Sequence, residues 1–468
     1  MRRRIFSLDR TNSSFLIIGA LIPSSGFFVV NNIYSSSGLN SETLVLYFQS
    51  ALVVIFGAVF FAPAWGKMPL KTEGEFIPYR FIGRGAVSLA RFRGIYLGVL
   101  ILPLAMAVSI QPLSEYLFSN LSSQNNFTLF IFGLLILNVF FNSLHNRIRI
   151  DAFIGYATFV VAILYFIARL IFSNANAVPN ELMFSLHSSQ LKSIALSFGL
   201  LWWFATIVDL PDMRGQLLLT LKDGFRSRRN MILSFIIAFF IQGILLAFPL
   251  NHSVNNACNW LCFAFVTMII LNALQAMFST NHWTGSIIYA GVIRPMLSND
   301  NYERVYGLAF MFLGIGITAF WLMLEKTTTE LFATIFLFTA GVGPVFIARW
   351  LWSRVNAQTV LSAMIGAPLI WILWLLLKQT WAYPFLTSTL GISETFIDTL
   401  IPGILNTLVW LTTLFITHNK EEEIIAKHWI QEVGVLNEFK SIKNWLLFVG
   451  LSIISGLILF GPSFIFGK

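Results

Sequence analysis

The stretch FLIIGALIPSSGFFVVNNIY, Phe15 to Tyr34, is apolar enough to enter a bilayer but is interrupted at Pro23, Ser24, Ser25 and Gly26. A second stretch, LSFGLLWWFATIVDLPDMRGQLLL, Leu196 to Leu219, is interrupted around Asp209, Pro211, Asp212, Arg214 and Gly215. Backbone leaves the helix at membrane depth only where protein or a water-filled cavity satisfies its polar groups. Two interrupted spans in corresponding halves of a chain are the sequence mark of a midplane binding site between inverted repeats. The pattern therefore predicts discontinuous first and sixth spans that meet at the centre of a transporter.

Composition agrees with a membrane protein. Of 468 residues, 57% are hydrophobic and 11% charged. A soluble protein carries about 25% charged residues. The 47 Phe and 14 Trp suit lipid-facing and interfacial surfaces. Cys258 and Cys262 are four apart on an apolar stretch and read as small helix residues, with neither a disulfide framework nor a metal site implied.

A span needs about 20 mostly apolar residues. Thirteen such segments are predicted, near 14–34, 43–66, 95–119, 127–145, 150–173, 191–221, 231–250, 257–293, 304–324, 330–352, 357–378, 397–417 and 442–466. The sixth would be ~46 Å long as a straight helix. The hydrocarbon core is about 30 Å thick, so the sixth must break or extend into water, and so must the eighth.

Orientation follows from Lys and Arg. With the N-terminus in the cytoplasm, 24 of the 30 basic residues fall on inner segments, from Arg2 through Lys67–Arg93, Arg147, Arg149 and Lys222–Arg229 to Lys443. Arg169, Lys192, Lys326, Lys378 and Lys468 fall outside, and Arg214 lies within a span. An external C-terminus follows. The same asymmetry accounts for the net charge of +9, so the lipid bilayer rather than a nucleic acid is the implied partner. Lys67–Arg93 reads as an interfacial helix with its basic residues at the headgroups, and His418–Lys443 as an amphipathic surface helix.

Asp209, Asp212 and Arg214 are the densest polar group within a span and are expensive there, roughly 2.5–3.5 kcal/mol each. One carboxylate is expected to pair with Arg214 and the other to face a cavity; alternatively, Asp212 and Arg214 form a structural pair at the inner mouth. Ser24, Ser25, Gly26, Asn31, Trp202, Trp203, Asp209 and Asp212 are the expected contacts for a small-molecule solute. A hard cation such as Na⁺ would take oxygen ligands from Ile22, Ser25, Asn272 and Gln275; Asn272 and Gln275 lie three apart on one helix face. His282 is either a titrating group or a hydrogen-bonded packing residue. No phosphate loop, HExxH or Ser/His/Asp spacing singles out an enzyme, and no cofactor is implied beyond Na⁺ or H⁺ as a coupling ion.

Four stretches carry a family resemblance. TEGEFIPYRFIGRGAVSLARFRGIYLG, Thr72 to Gly98, resembles the inner loop and third core helix of bacterial sodium:solute symporters, with the pattern T-D-x-E-F…R-x-x-R-x-x-Y-x-G. WWFATIVDLPDMRGQLLLTLKDGFRS matches that family's W-W…Q-R-M-L-S-A-K-D at Trp202, Trp203, Gln216, Leu219, Lys222 and Asp223. HWTGSIIYAGVIRPML, His282 to Leu297, matches its N-W-G-A-S segment at Trp283 and Ser286, and FIARWLWSRVNAQTVLSAMIGAP, Phe346 to Pro368, is similar to R-W-Y-W-W-R-I-N-A-x-S-E.

The resemblance implies an all-α LeuT-type fold of two inverted five-helix repeats, about 11–175 and 190–355, with three further helices over about 356–468. It also implies sodium-coupled uptake of a small polar organic solute. The hydroxyl pair that the family places in the eighth span falls here at Gln275 and Ala276, and Ser279 and Thr280 replace it only if the register shifts by about one turn. The sodium site implied is therefore a degenerate one. A proton-coupled or uncoupled carrier, and a non-transporting sensor or scaffold, remain the alternatives.

Overall fold

The computed structural model describes residues 14–22, 41–70, 72–118, 133, 136, 144–172, 213–247, 259–296, 303–324, 331, 334–335, 338–380, 383–384 and 394–466. Among these all regular structure is helical. The first helix, α1 (Ser14–Leu21), stops just short of the predicted break. Helix α2 (Ser41–Phe56) continues through a π turn, Gly57–Phe61, into α3 (Ala62–Lys67). A 3-10 turn, Glu73–Glu75, leads into α4 (Phe76–Arg80). Helix α5 (Gly83–Ile95) passes through a second π turn, Tyr96–Ile101, into α6 (Leu102–Phe118).

Next come α7 (Leu144–Phe172), α8 (Met213–Leu219) and α9 (Gly224–Ala247). Helix α10 (Asn259–Ile288) is continuous for 30 residues and ends in a third π turn, Tyr289–Ile293. Its excess length is thus taken up by extension rather than by a break. Helices α11 (Glu303–Leu324), α12 (Gly343–Leu351), α13 (Ala357–Lys378), α14 (Glu394–Ile416), α15 (Lys420–Val433), α16 (Val435–Lys440) and α17 (Ile442–Phe466) complete the described chain.

Local chemistry sets several boundaries. Asn356 accepts from the Thr359 N–H at 2.9 Å and so caps α13, and Asn419 does the same for α15 through the Glu421 N–H. Glu421, Glu422 and Glu423 then occupy the first turn of α15, where the helix dipole favours negative charge. Gly434 ends α15 at φ 74°, a left-handed conformation that costs a glycine nothing.

Four described segments are long and apolar enough to cross a bilayer: Gly85–Gln111, Arg147–Ala168, Glu303–Leu324 and Ala357–Lys378. Helix α15 turns away from α14 by 112°. Helix α7 packs between α1 and α10, and α10 also packs on α6 and α11; α13 pairs with α14, and α17 with α2. The α1–α7 contact is close because Gly19 lacks a side chain. A Cβ there would lie 2.9 Å from the Ala152 backbone and 2.6 Å from the Tyr156 ring.

Candidate functional site

The sequence-predicted solute contacts Ser24, Ser25, Gly26, Asn31, Trp202, Trp203, Asp209 and Asp212 lie outside the described residues. Asn272 and Gln275 belong to α10, but their side chains also lie outside the description. Ile22 is described and buried, one residue beyond α1. What the structure does place are two buried polar clusters that meet α10 one turn apart, at Trp283 and at Ser279.

The first cluster is built on Glu73. Thr72 is extended, so the chain enters the Glu73–Glu75 turn with a backbone N–H that has no helical partner. That N–H donates to Gln216 Oε1 of α8 at 2.8 Å. The Glu73 side chain is paired with the Arg93 guanidinium of α5 and accepts from Trp283 Nε1 of α10 at 3.5 Å. Glu73 and Arg93 are each 1% exposed. One residue of the inner loop thus ties α5, α8 and α10 together. Glu75, two residues on, accepts from Arg294 at 2.5 Å just beyond the same helix.

Next to it is an aromatic and cationic layer. Arg80 Nε donates to the Arg349 carbonyl at 2.8 Å, and its guanidinium lies 5.0 Å from the Trp429 ring of α15. Arg349 lies 4.7 Å from the Phe76 ring. Phe76, Trp350 and Trp429 pack at 4.9 and 5.5 Å between ring centres. Burial, helped by the nearby Arg349 charge, pushes the Arg80 guanidinium down to about 9.

The Lys67–Arg93 segment therefore departs from the expected headgroup-facing helix. Arg80 and Arg93 point into the protein because each has a carboxylate, carbonyl or ring partner there. The amphipathic character expected of His418–Lys443 is present in α15, but Trp429, Ile430 and Val433 are buried against the body. Helix α16 is clamped through Glu438, which pairs with Arg228 of α9 and with Lys67 of α3, and accepts from Asn444 of α17 at 2.9 Å.

The second cluster sits at the start of the apolar segment Arg147–Ala168 and in α10, with Arg147 itself just ahead of the fifth predicted span. Arg147 and Asp151, one turn apart at the start of α7, form a forked ion pair with one contact at 2.8 Å; both are 1% exposed. Ser279 of α10 donates to the same carboxylate at 3.3 Å, and the Arg147 guanidinium lies 5.0 Å from the Phe278 ring. His282, one turn on from Phe278, is buried, and so is Arg214 in α8. The sequence signal that would have found this pair is the Arg-x-x-x-Asp spacing itself, which puts opposite charges on one helix face. Arg149, two residues from Arg147, points outward as an inner-loop charge should.

No sequence family and no curated protein matches the chain. Solved structures do. A substrate-bound, outward-open Na⁺-coupled sialic acid symporter superposes with a TM-score of 0.51 at 15% identity, over 86% of this chain and 89% of that one. Mhp1, a nucleobase-cation-symport-1 family transporter in a closed conformation, gives 0.51 at 10% identity, over 91% of this chain and 98% of that one. The chain has the LeuT-type transporter fold.

Proposed function

We propose that this protein is a secondary transporter that moves a small polar organic solute across the bacterial inner membrane, of sodium:solute symporter type with a degenerate sodium site. The observation that carries the reading is the LeuT-type fold spanning nearly the whole chain. Alternating access in such folds is rocking or gating of one repeat against the other around the site, so a contact between repeats is a connection that this motion has to accommodate. Glu73 offers that connection, since it holds Gln216 and Trp283 from one buried turn.

In this reading thirteen spans run from a cytoplasmic N-terminus to an external C-terminus, with repeats over about 11–175 and 190–355. Ser24, Ser25, Gly26 and Asn31 of the first break face Trp202, Trp203, Asp209 and Asp212 of the sixth around the solute. Ile22, Ser25, Asn272 and Gln275 surround the remnant of the cation site. Burial of Trp429 and Ile430 weighs against a scaffold whose inner loop is a free contact surface.

The test is uptake of a panel of labelled polar solutes into proteoliposomes, with Na⁺, H⁺ or no gradient, by the wild type and by Asp209→Asn and Asp212→Asn. Saturable uptake of one solute class, weakened in either variant, supports the reading. Absence of uptake for every solute, with folded protein in the vesicles, removes it.

A further inference from the structure

We infer that the cation position between α1, α7 and α10 is filled by the protein itself, with the Arg147 guanidinium standing where a mobile Na⁺ would sit, so that this site does not bind sodium. The inference deepens the transporter reading and rests on it only for its consequence in transport.

The location comes from two contacts. Gly19 of α1 lies against Ala152, the residue after Asp151. Ser279 of α10 donates to Asp151 itself. Asp151 is thus held by α10 at Ser279, one turn beyond Gln275, and is the chain neighbour of Ala152, which α1 touches; Ser279 is the position that a one-turn shift of the eighth-span register brings to the cation site. A carboxylate with a neighbouring hydroxyl is the donor set that a hard monovalent cation takes. A carboxylate buried so fully must have a positive partner.

That partner is already present. Arg147 contacts both carboxylate oxygens from one turn away on the same helix. The fork geometry of guanidinium suits a carboxylate, and its charge is permanent. Phe278 holds the other side of the guanidinium through a cation–ring contact. Sodium from solution would have to displace a cationic group that is tethered at the site and already forked onto both carboxylate oxygens. Arg147 also travels with α7 and cannot dissociate to either side of the membrane. A gradient of Na⁺ thus has nothing to act on at this position.

The experiment uses the purified full chain in lipid nanodiscs and radioactive sodium as the probe, with choline as the control cation. The wild type is expected to show no saturable sodium binding and the same melting temperature in both salts. Arg147→Gln, which leaves the carboxylate and keeps an amide donor, is expected to gain saturable sodium binding and a melting temperature raised by sodium over choline. Arg147→Gln combined with Asp151→Asn is expected to lose both. Saturable binding to the wild type that disappears in Asp151→Asn overturns the inference, as does a folded Arg147→Gln that ignores sodium. If Arg147→Gln does not fold, the wild-type measurement and its Asp151→Asn control still decide. Failure of the transporter reading shows elsewhere, as absent uptake of all solutes, and leaves the sodium result standing.

Discussion

The backbone N–H of Glu73 and the side-chain oxygen of Gln216 meet at 2.8 Å across 143 residues of sequence. This bond joins the turn that precedes α4 to helix α8. Gln216→Ala leaves a buried N–H without its acceptor, at a cost of about 1–3 kcal/mol. The expected outcome is faster hydrogen exchange at Glu73 and its neighbours, with α13 and α14 unchanged. Unaltered exchange at Glu73 would show that the bond does not hold the loop.

Arg93→Leu should be much more damaging. It strands the Glu73 carboxylate in the interior, and loss of one partner of a buried pair costs about 3–5 kcal/mol. Glu73→Leu combined with Arg93→Leu should recover most of that, because no charge is left buried. The measurement is the melting temperature and the monodisperse yield of each variant in detergent. Equal damage from the single and double variants would contradict the pair account.

The Glu438 clamp predicts a pH dependence. Partial burial raises this carboxyl, but Arg228, Asn444 and Lys67 together hold it below its ordinary value of 4.5. A carboxyl depressed in the folded state contributes stability above its unfolded value and loses it as pH falls through the folded one. The wild type should therefore exceed Glu438→Gln by about 1–3 kcal/mol at neutral pH, the worth of bonds to charged groups. The gap should begin to close below the ordinary value of 4.5. A gap that persists under acid would assign the loss to packing instead.

Gly19→Val tests the α1–α7 contact. Even the Cβ has no room beside Ala152 and Tyr156, so α1 must move away from α7. Overpacking of this kind costs about 1–3 kcal/mol or more. A folded variant with wild-type stability would mean that the helices are not so closely apposed.

Thirteen spans with an external C-terminus predict that single cysteines placed over Ser173–Gln190 react with an impermeant reagent in intact cells. Cysteines over Lys222–Asn230 should react only after permeabilisation. Reaction of the second set in intact cells would reverse the orientation.

The fold was legible where a local rule had no competitor. Long apolar runs read directly as the segments Gly85–Gln111, Arg147–Ala168, Glu303–Leu324 and Ala357–Lys378. The Lys67–Arg93 stretch reads as a headgroup-facing helix, yet its Arg80 and Arg93 are buried. A charged loop residue reads as solvated because no sequence rule reports a partner more than a hundred residues away. Glu73 is buried among Arg93, Gln216 and Trp283, the last two more than a hundred residues away. Arg147 was hidden for a different reason. It satisfies the charge rule as an inner-loop cation, and that rule cannot tell it from its outward neighbour Arg149. Only the turn-spaced Asp151 distinguishes the two.

Each π turn packs against the helix leading into the other: Gly98 of the Tyr96–Ile101 turn lies against Ile288 of α10, and Gly291 of the Tyr289–Ile293 turn against Gly94 of α5. A π turn holds one residue more than the helix around it. Everything beyond it is therefore rotated by about 100°, the angle one residue subtends in an α-helix with 3.6 residues per turn. Arg93 and Trp283 stand before these turns, while Met106 and Arg294 stand after them. The helical phase that lets Arg93 and Trp283 both reach Glu73 is thus separate from the phase that packs the distal halves of the same two helices. A one-residue deletion in either turn would act as a gear slip, leaving each half helical but misaligning one half against its partners.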